Sequence, residues 1–150
     1  MTATNIFRRG WLSLAVLGAF ALTLVAGCGG VRRIPVSGTV TLDGQPMNGG
    51  YLQFTPDTAK GNTHKISGIS PIKDGRYDME TRGITRSETG AGIPPGWYKV
   101  TFIILEESTK KHQVVTPNVN DKFKNPDKTP LSVEVKDNPD AGTYDFQMTK

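Results

Sequence analysis

The sequence predicts an all-β fold, a single antiparallel β-sandwich of about seven strands. Three observations predict it. Apolar and polar residues alternate with a period of two in one segment after another. No segment sustains a helical 3.6-residue apolar period over three turns. Seventeen glycines and ten prolines punctuate the 150 residues, which suits short strands joined by turns and opposes long helices.

The elements follow in order. Val36, Gly38, Val40 and Leu42 share one face of the first strand, and Ser37, Thr39 and Thr41 the other. Asp43-Gly44-Gln45-Pro46 is a turn, with Asp-Gly as its marker. Leu52 and Phe54 alternate with Tyr51, Gln53 and Thr55 in a second strand. Residues 57–65 are polar, contain Gly61 and Asn62, and read as a loop. A weak strand covers Ile66 to Ile72, where Pro71 marks an edge or a strand end. Lys73-Asp74-Gly75 is a second hairpin-type turn. Arg76 to Glu80 follows it, with Tyr77 and Met79 inward. Residues 81–96 read as a loop.

Trp97 to Leu105 is the strongest strand, with Tyr98, Val100, Phe102 and Ile104 expected on the core face. Trp97, Ile103 and Leu105 make its other face partly apolar. Such a strand is either covered on both sides or part of a contact surface. Residues 106–130 read as a long polar connection containing Pro117, Pro126 and Pro130, with Val114-Val115 as a short strand extension. Leu131, Val133 and Val135, and then Tyr144, Phe146 and Met148, provide the inward faces of two final strands.

The N-terminal segment has a different character. Arg8 and Arg9 precede an apolar run of 16 residues, Trp11 to Ala26, which ends in Val25-Ala26-Gly27-Cys28. This order matches a secretory signal peptide. Its last four residues resemble a bacterial lipobox, in which a peptidase cuts before the cysteine and lipid is attached to the sulfur. The run is short of the roughly 20 residues that span a bilayer as a helix. Cys28 is the only cysteine, so an intramolecular disulfide is impossible and lipidation accounts for its place. The expected organisation is a signal peptide over 1–27, a lipidated tether over 28–33 and one domain over 34–150. Several acyl chains on Cys28 would make the membrane attachment effectively permanent. In the lipoproteins this segment resembles, Asp after the cysteine favours the inner membrane, so Gly29 points to the outer one.

Without residues 1–27, 123 residues remain, enough for one core. The net charge falls from +4 to +2 as Arg8 and Arg9 leave. Such a small charge, spread along the chain, is no nucleic-acid footprint.

Three segments together are similar to the carboxypeptidase regulatory-like domain, a transthyretin-like sandwich. They are Val36-Ser-Gly-Thr-Val-Thr-Leu-Asp-Gly-Gln-Pro-Met47, Lys73-Asp-Gly-Arg-Tyr-Asp-Met79 and Ile93-Pro-Pro-Gly-Trp-Tyr-Lys-Val100. The resemblance covers most of residues 34–149 and implies a non-catalytic domain, of the kind found in small bacterial lipoproteins. The transthyretin-like hydrolases of purine breakdown end in Tyr-Arg-Gly-Ser. This chain ends Phe146-Gln-Met-Thr-Lys150 and lacks that signature.

The residues themselves carry little chemistry. His64 and His112 lie in separate polar segments without the three or four ligands a zinc site needs. Asp121, Asp127, Asp137 and Asp140 do not follow a calcium-loop spacing and suit turns. No Gly-x-Ser-x-Gly elbow occurs, and the lipid would consume the one thiol. The expectation is therefore a non-enzymatic, lipid-anchored cell-envelope domain, with no cofactor or metal and a structural or protein-binding role. Its partners would be the membrane, through lipid on Cys28, and an envelope protein or glycan. Trp97, Ile103, Leu105 and Tyr51 are the candidate contact residues, and residues 106–130 the candidate binding loop. The alternative is a glycan- or small-ligand-binding module, in which the outward Tyr51 stacks on a sugar.

Overall fold

The computed structural model describes residues 31–83, 88–104 and 117–150. The signal segment, Cys28, Gly29, Leu105, His112 and the Val114-Val115 extension lie outside them. The described residues form ten strand segments: β1 (Ser37–Leu42), β2 (Gln45–Pro46), β3 (Tyr51–Pro56), β4 (Gly68–Pro71), β5 (Arg76–Asp78), β6 (Glu80–Thr81), β7 (Gly90–Ala91), β8 (Gly96–Ile103), β9 (Ser132–Val135) and β10 (Phe146–Met148). Helical geometry among them is limited to short 3-10 turns, including Thr58–Lys60 and Asp121–Lys124.

The strands make two open sheets. In one, β1 lies between β10 and β2, and β5 also pairs with the N-terminal part of β1. The other runs β7-β6-β4-β3-β8-β9. The sheets bury their apolar faces against each other, consistent with an all-β sandwich. Phe54 from β3 sits at the centre. Its ring centroid lies 5.8 Å from Phe146 and 6.2 Å from Tyr77 in the opposite sheet, and 6.0 Å from Tyr98 beside it. These tilted and edge-on arrangements suit aromatic quadrupoles. Val40, Leu52, Val100, Phe102, Val133, Val135 and Met148 are among the residues packed around this cluster, with the alternation their sequences carry.

Turn chemistry fixes the register at two places. Asp43 and Gly44 have φ of 50° and 80°, and Asp74 and Gly75 have 49° and 72°. Two successive positive φ values are what tight hairpin turns require and what Asp-Gly tolerates. The two turns interlock, because the Gly75 N–H donates to the Met47 carbonyl and the Val40 N–H to the Gly75 carbonyl.

Five expectations are corrected. The sandwich is not purely antiparallel, since β1 and β10 run parallel, with Val40, Thr41 and Leu42 opposite Phe146, Gln147 and Met148. Arg76 to Glu80 is not one strand. The chain leaves β1 at Asp78 and joins β4 as β6 at Glu80, so Met79 turns it from one sheet to the other. Ile104 does not face the core. β8 ends at Ile103, and Ile104 is 39% exposed. The 81–96 loop contains β7, which pairs with β6. The 117–130 part of the long connection is not merely polar, because Val119 and Phe123 are buried in the core. Asn120 holds that turn by accepting from the Lys122 N–H.

Tyr77 and Tyr98 are core aromatics whose hydroxyls find backbone partners. Tyr77 donates to the Tyr144 carbonyl at 2.8 Å, and Tyr98 to the Pro94 carbonyl at 2.8 Å. The second bond ties Ile93-Pro-Pro-Gly to the strand that follows it. Tyr98→Phe leaves a buried carbonyl without its donor, and the expected loss is about 1–3 kcal/mol of unfolding free energy. A urea titration of the variant beside the parent measures it, and an unchanged midpoint would remove the bond from the list of stabilising contacts.

Candidate functional site

The outward face of the six-stranded sheet collects the candidate contact residues that are described. Tyr51 and Ile103 are register partners on β3 and β8, and Pro71 of β4 lies on the other side of Tyr51. Tyr51 and Ile103 are both half-buried. Trp97 is on the same face but six residues further along β8, about 20 Å away at 3.3 Å per residue. Lys99 and Thr101 lie between them. The structure thus brings Tyr51 and Ile103 together and leaves Trp97 apart.

Trp97 has neighbours that its sequence context does not announce. The Lys60 ammonium stands 3.9 Å from the centre of the indole ring and donates to the Ser132 hydroxyl at 2.8 Å. Glu134 is its register partner on β9. Lys60 reaches this place because the Asp57 carboxylate caps the Thr58–Lys60 turn, accepting from the Ala59 N–H, and Gly61 ends it at φ 80°. A cation over an indole is a modest attraction when exposed.

Two of the surface hollows formed by the described residues lie beside the sheets. One, of about 210 Å³, is lined by Ser37, Gly38, Thr39, Arg76, Tyr77 and Asp78. At its side, Asp145 accepts from both the Thr39 N–H at 2.7 Å and the Thr39 hydroxyl at 2.9 Å. The other, of about 230 Å³, lies among Leu42, Asp43, Gln45 to Asn48, Pro117 and Lys150. Its Lys150 ammonium is 3.5 Å from the Asp43 carboxylate. Both are smaller than the roughly 300–1,000 Å³ of ordinary small-molecule sites.

The four aspartates weighed as a calcium site are dispersed. Asp121 pairs with Lys124 at 2.9 Å, Asp127 with Lys99 at 3.7 Å, Asp140 with Lys136 at 3.9 Å and Asp137 with Arg32. Lys124 holds the Asp121 carboxyl below the usual carboxylate range, first through their hydrogen bond. The His64 N–H donates to the Asn62 side chain, an Asx-type turn. Among the described residues no three of His, Cys, Asp or Glu gather where a metal ion would sit.

Elsewhere the shifted groups are tyrosines. Burial pushes the Tyr77 hydroxyl well above its ordinary value, with the Asp145 carboxylate adding to the shift. Burial also raises Tyr98 and Tyr144. The unfolded chain releases these protons near pH 10, whereas the folded chain holds them. Their contribution to stability is therefore complete below about pH 10 and is lost as pH climbs through the raised values. Thermal melts between pH 8 and pH 11.5 are expected to show a midpoint that falls only in the alkaline part of that range. A midpoint indifferent to pH there would contradict the tyrosine burial.

Comparison with family models, with curated proteins and with solved structures finds no match for this chain.

Proposed function

We propose that this chain is a lipid-anchored domain of the bacterial cell envelope, with a structural or protein-binding role and no catalysis of its own. The observation that carries it is the order Arg8-Arg9, an apolar run to Ala26, then Val25-Ala26-Gly27-Cys28. Residues 34–150 would be a carboxypeptidase regulatory-like, transthyretin-like sandwich, and the two packed sheets are compatible with that. Gly29 favours the outer membrane over the inner. For the partner, an envelope protein is preferred to a glycan. Tyr51 and Trp97 stand too far apart to stack on one sugar, whereas Tyr51, Ile103 and Pro71 make a small apolar area suited to a protein contact.

The test compares the full chain expressed in a bacterium with Cys28→Ala. The parent is expected to lose residues 1–27, gain acyl mass and enter the detergent phase, and the variant to do none of these. A parent that keeps Met1 and stays in the aqueous phase would falsify the anchor.

A further inference from the structure

We infer that Asn48 is a site of non-enzymatic deamidation, and that the fold withholds the reaction until the turn carrying Asn48 opens. The inference does not depend on the lipid anchor. The reactants are the chain itself and water. The Gly49 backbone nitrogen attacks the side-chain carbon Cγ of Asn48. Its proton leaves with the side-chain nitrogen as ammonia, and a five-membered imide remains. Water then opens the imide at either carbonyl. One opening gives aspartate. The other gives isoaspartate, whose backbone runs through the former side chain and is one carbon longer.

The chain has seven asparagines, and sequence and structure together single out this one. Proline follows Asn125 and Asn138 and has no N–H to give up. β-Branched residues follow Asn5, Asn62 and Asn118 and crowd the attack. Asn62 is also held at both ends of its amide. It donates to the Trp97 carbonyl at 2.8 Å and accepts from the His64 N–H at 3.0 Å. Asn120 is held likewise, by the Lys122 N–H at 3.2 Å and the Lys150 carbonyl at 3.3 Å. Asn48 precedes a glycine, whose missing side chain leaves the approach open. It is exposed, and its side chain accepts one long bond, from the Asp74 N–H at 3.5 Å.

The surrounding turns supply the lock. The Gly49 N–H donates to the Ile72 carbonyl at 3.0 Å, and the Ile72 N–H to the Gly50 carbonyl at 3.0 Å. On the other side of Asn48, the Met47 carbonyl accepts from the Gly75 N–H at 2.7 Å. Met47, Ile72 and Gly75 are buried. The attacking nitrogen must lose its proton, and a proton committed to a carbonyl is withheld from solvent base, as in amide hydrogen exchange. The reaction therefore follows local opening.

The same bonds set the consequence. Asn48 joins two fixed points, Met47 and Gly49. Aspartate fits between them, and its carboxylate still accepts from the Asp74 N–H. Isoaspartate adds a backbone carbon there, so the bond to Gly75 or the bond to Ile72 must give way. Ammonia is lost, so each opening that reacts leaves a permanent mark in the chain.

The experiment incubates the full chain in warm, mildly alkaline buffer, native and in guanidinium chloride. Peptide mass spectrometry follows each asparagine, and isoaspartate is counted by enzymatic methyl transfer to its free carboxyl. In guanidinium chloride Asn48 is expected to convert before the other asparagines. In native buffer its conversion is expected to be about tenfold slower or more, an opening free energy of about 1.4 kcal/mol or above. Asn48→Asp carries the charge without the extra carbon and is expected to melt with the parent. The refolded, isoaspartate-rich chain is expected to melt at a lower temperature. Another asparagine converting first overturns the site. Equal rates in the two solvents overturn the lock. An isoaspartate-rich chain that melts with the parent overturns the consequence.

Discussion

Phe54→Ala is expected to lower the unfolding free energy by about 3–5 kcal/mol, the range for removing a buried aromatic ring. Phe54 is fully buried in β3 and touches aromatic rings of both sheets: Tyr98 beside it, and Tyr77 and Phe146 across the interface. Alanine removes the transfer free energy of the ring and leaves a cavity that three partly tethered neighbours cannot fill. Tyr77 and Tyr98 are held by their hydroxyls to the Tyr144 and Pro94 carbonyls and are not free to swing inward. Urea unfolding followed by tryptophan fluorescence measures the loss. Phe54→Leu keeps most of the volume and serves if the alanine variant does not fold. It is expected to lose markedly less. Gln53→Ala, one residue along on the outward face, should move the midpoint little. Equal losses at positions 53 and 54 would mean that Phe54 is not the centre of the core.

Gly38→Ala is the second large effect, and its cause is steric. A Cβ at Gly38 would lie 2.1 Å from the Tyr144 carbonyl oxygen and 2.8 Å from its carbonyl carbon. Backbone cannot rotate away as a side chain can, so β1 and the chain leading into β10 must separate. That movement would disturb the Tyr77–Tyr144 hydrogen bond and the clasp of Asp145 on Thr39. The expected loss is about 1–3 kcal/mol or somewhat more, as for other insertions into well-packed sites. Gly44→Ala separates sterics from conformation. Gly44 has φ 80° and nothing near its missing Cβ, so alanine there costs only the left-handed backbone term of about 1–2 kcal/mol. If Gly38→Ala were as stable as the parent, the close approach of β1 to Tyr144 would be wrong.

Much of the fold was legible in local pattern, and particular residues show why. Leu52 and Phe54 against Gln53, or Val133 and Val135 against Glu134, announce an inward and an outward face because successive side chains of a strand point oppositely. Asp43-Gly44 and Asp74-Gly75 announce turns because few other residue pairs accept two positive φ values. Phe123 was not legible, since a lone aromatic between lysines has no period to reveal it, and the Asn120 cap that points it inward uses a side-chain bond. The candidate contact residues were legible as outward-facing on β3 and β8, but not as neighbours. That Tyr51 meets Ile103, while Trp97 meets Lys60 from a distant turn, depends on register.

By itself the sequence located the longer strands and most of their inward side chains, placed the Asp-Gly turns and marked one segment that reads as an export signal. Each depends on residues within a few positions of one another. Only the tertiary structure decided that β10 lies parallel to β1, that the chain changes sheets at Met79, that Ile104 faces solvent and that Ile34 is tied to Ile93. Alternation is the same whichever way a strand runs and whichever strand it joins. Partner and direction are set by contacts between residues far apart in the chain, such as Gly38 against Tyr144, where the space one residue leaves is measured by another.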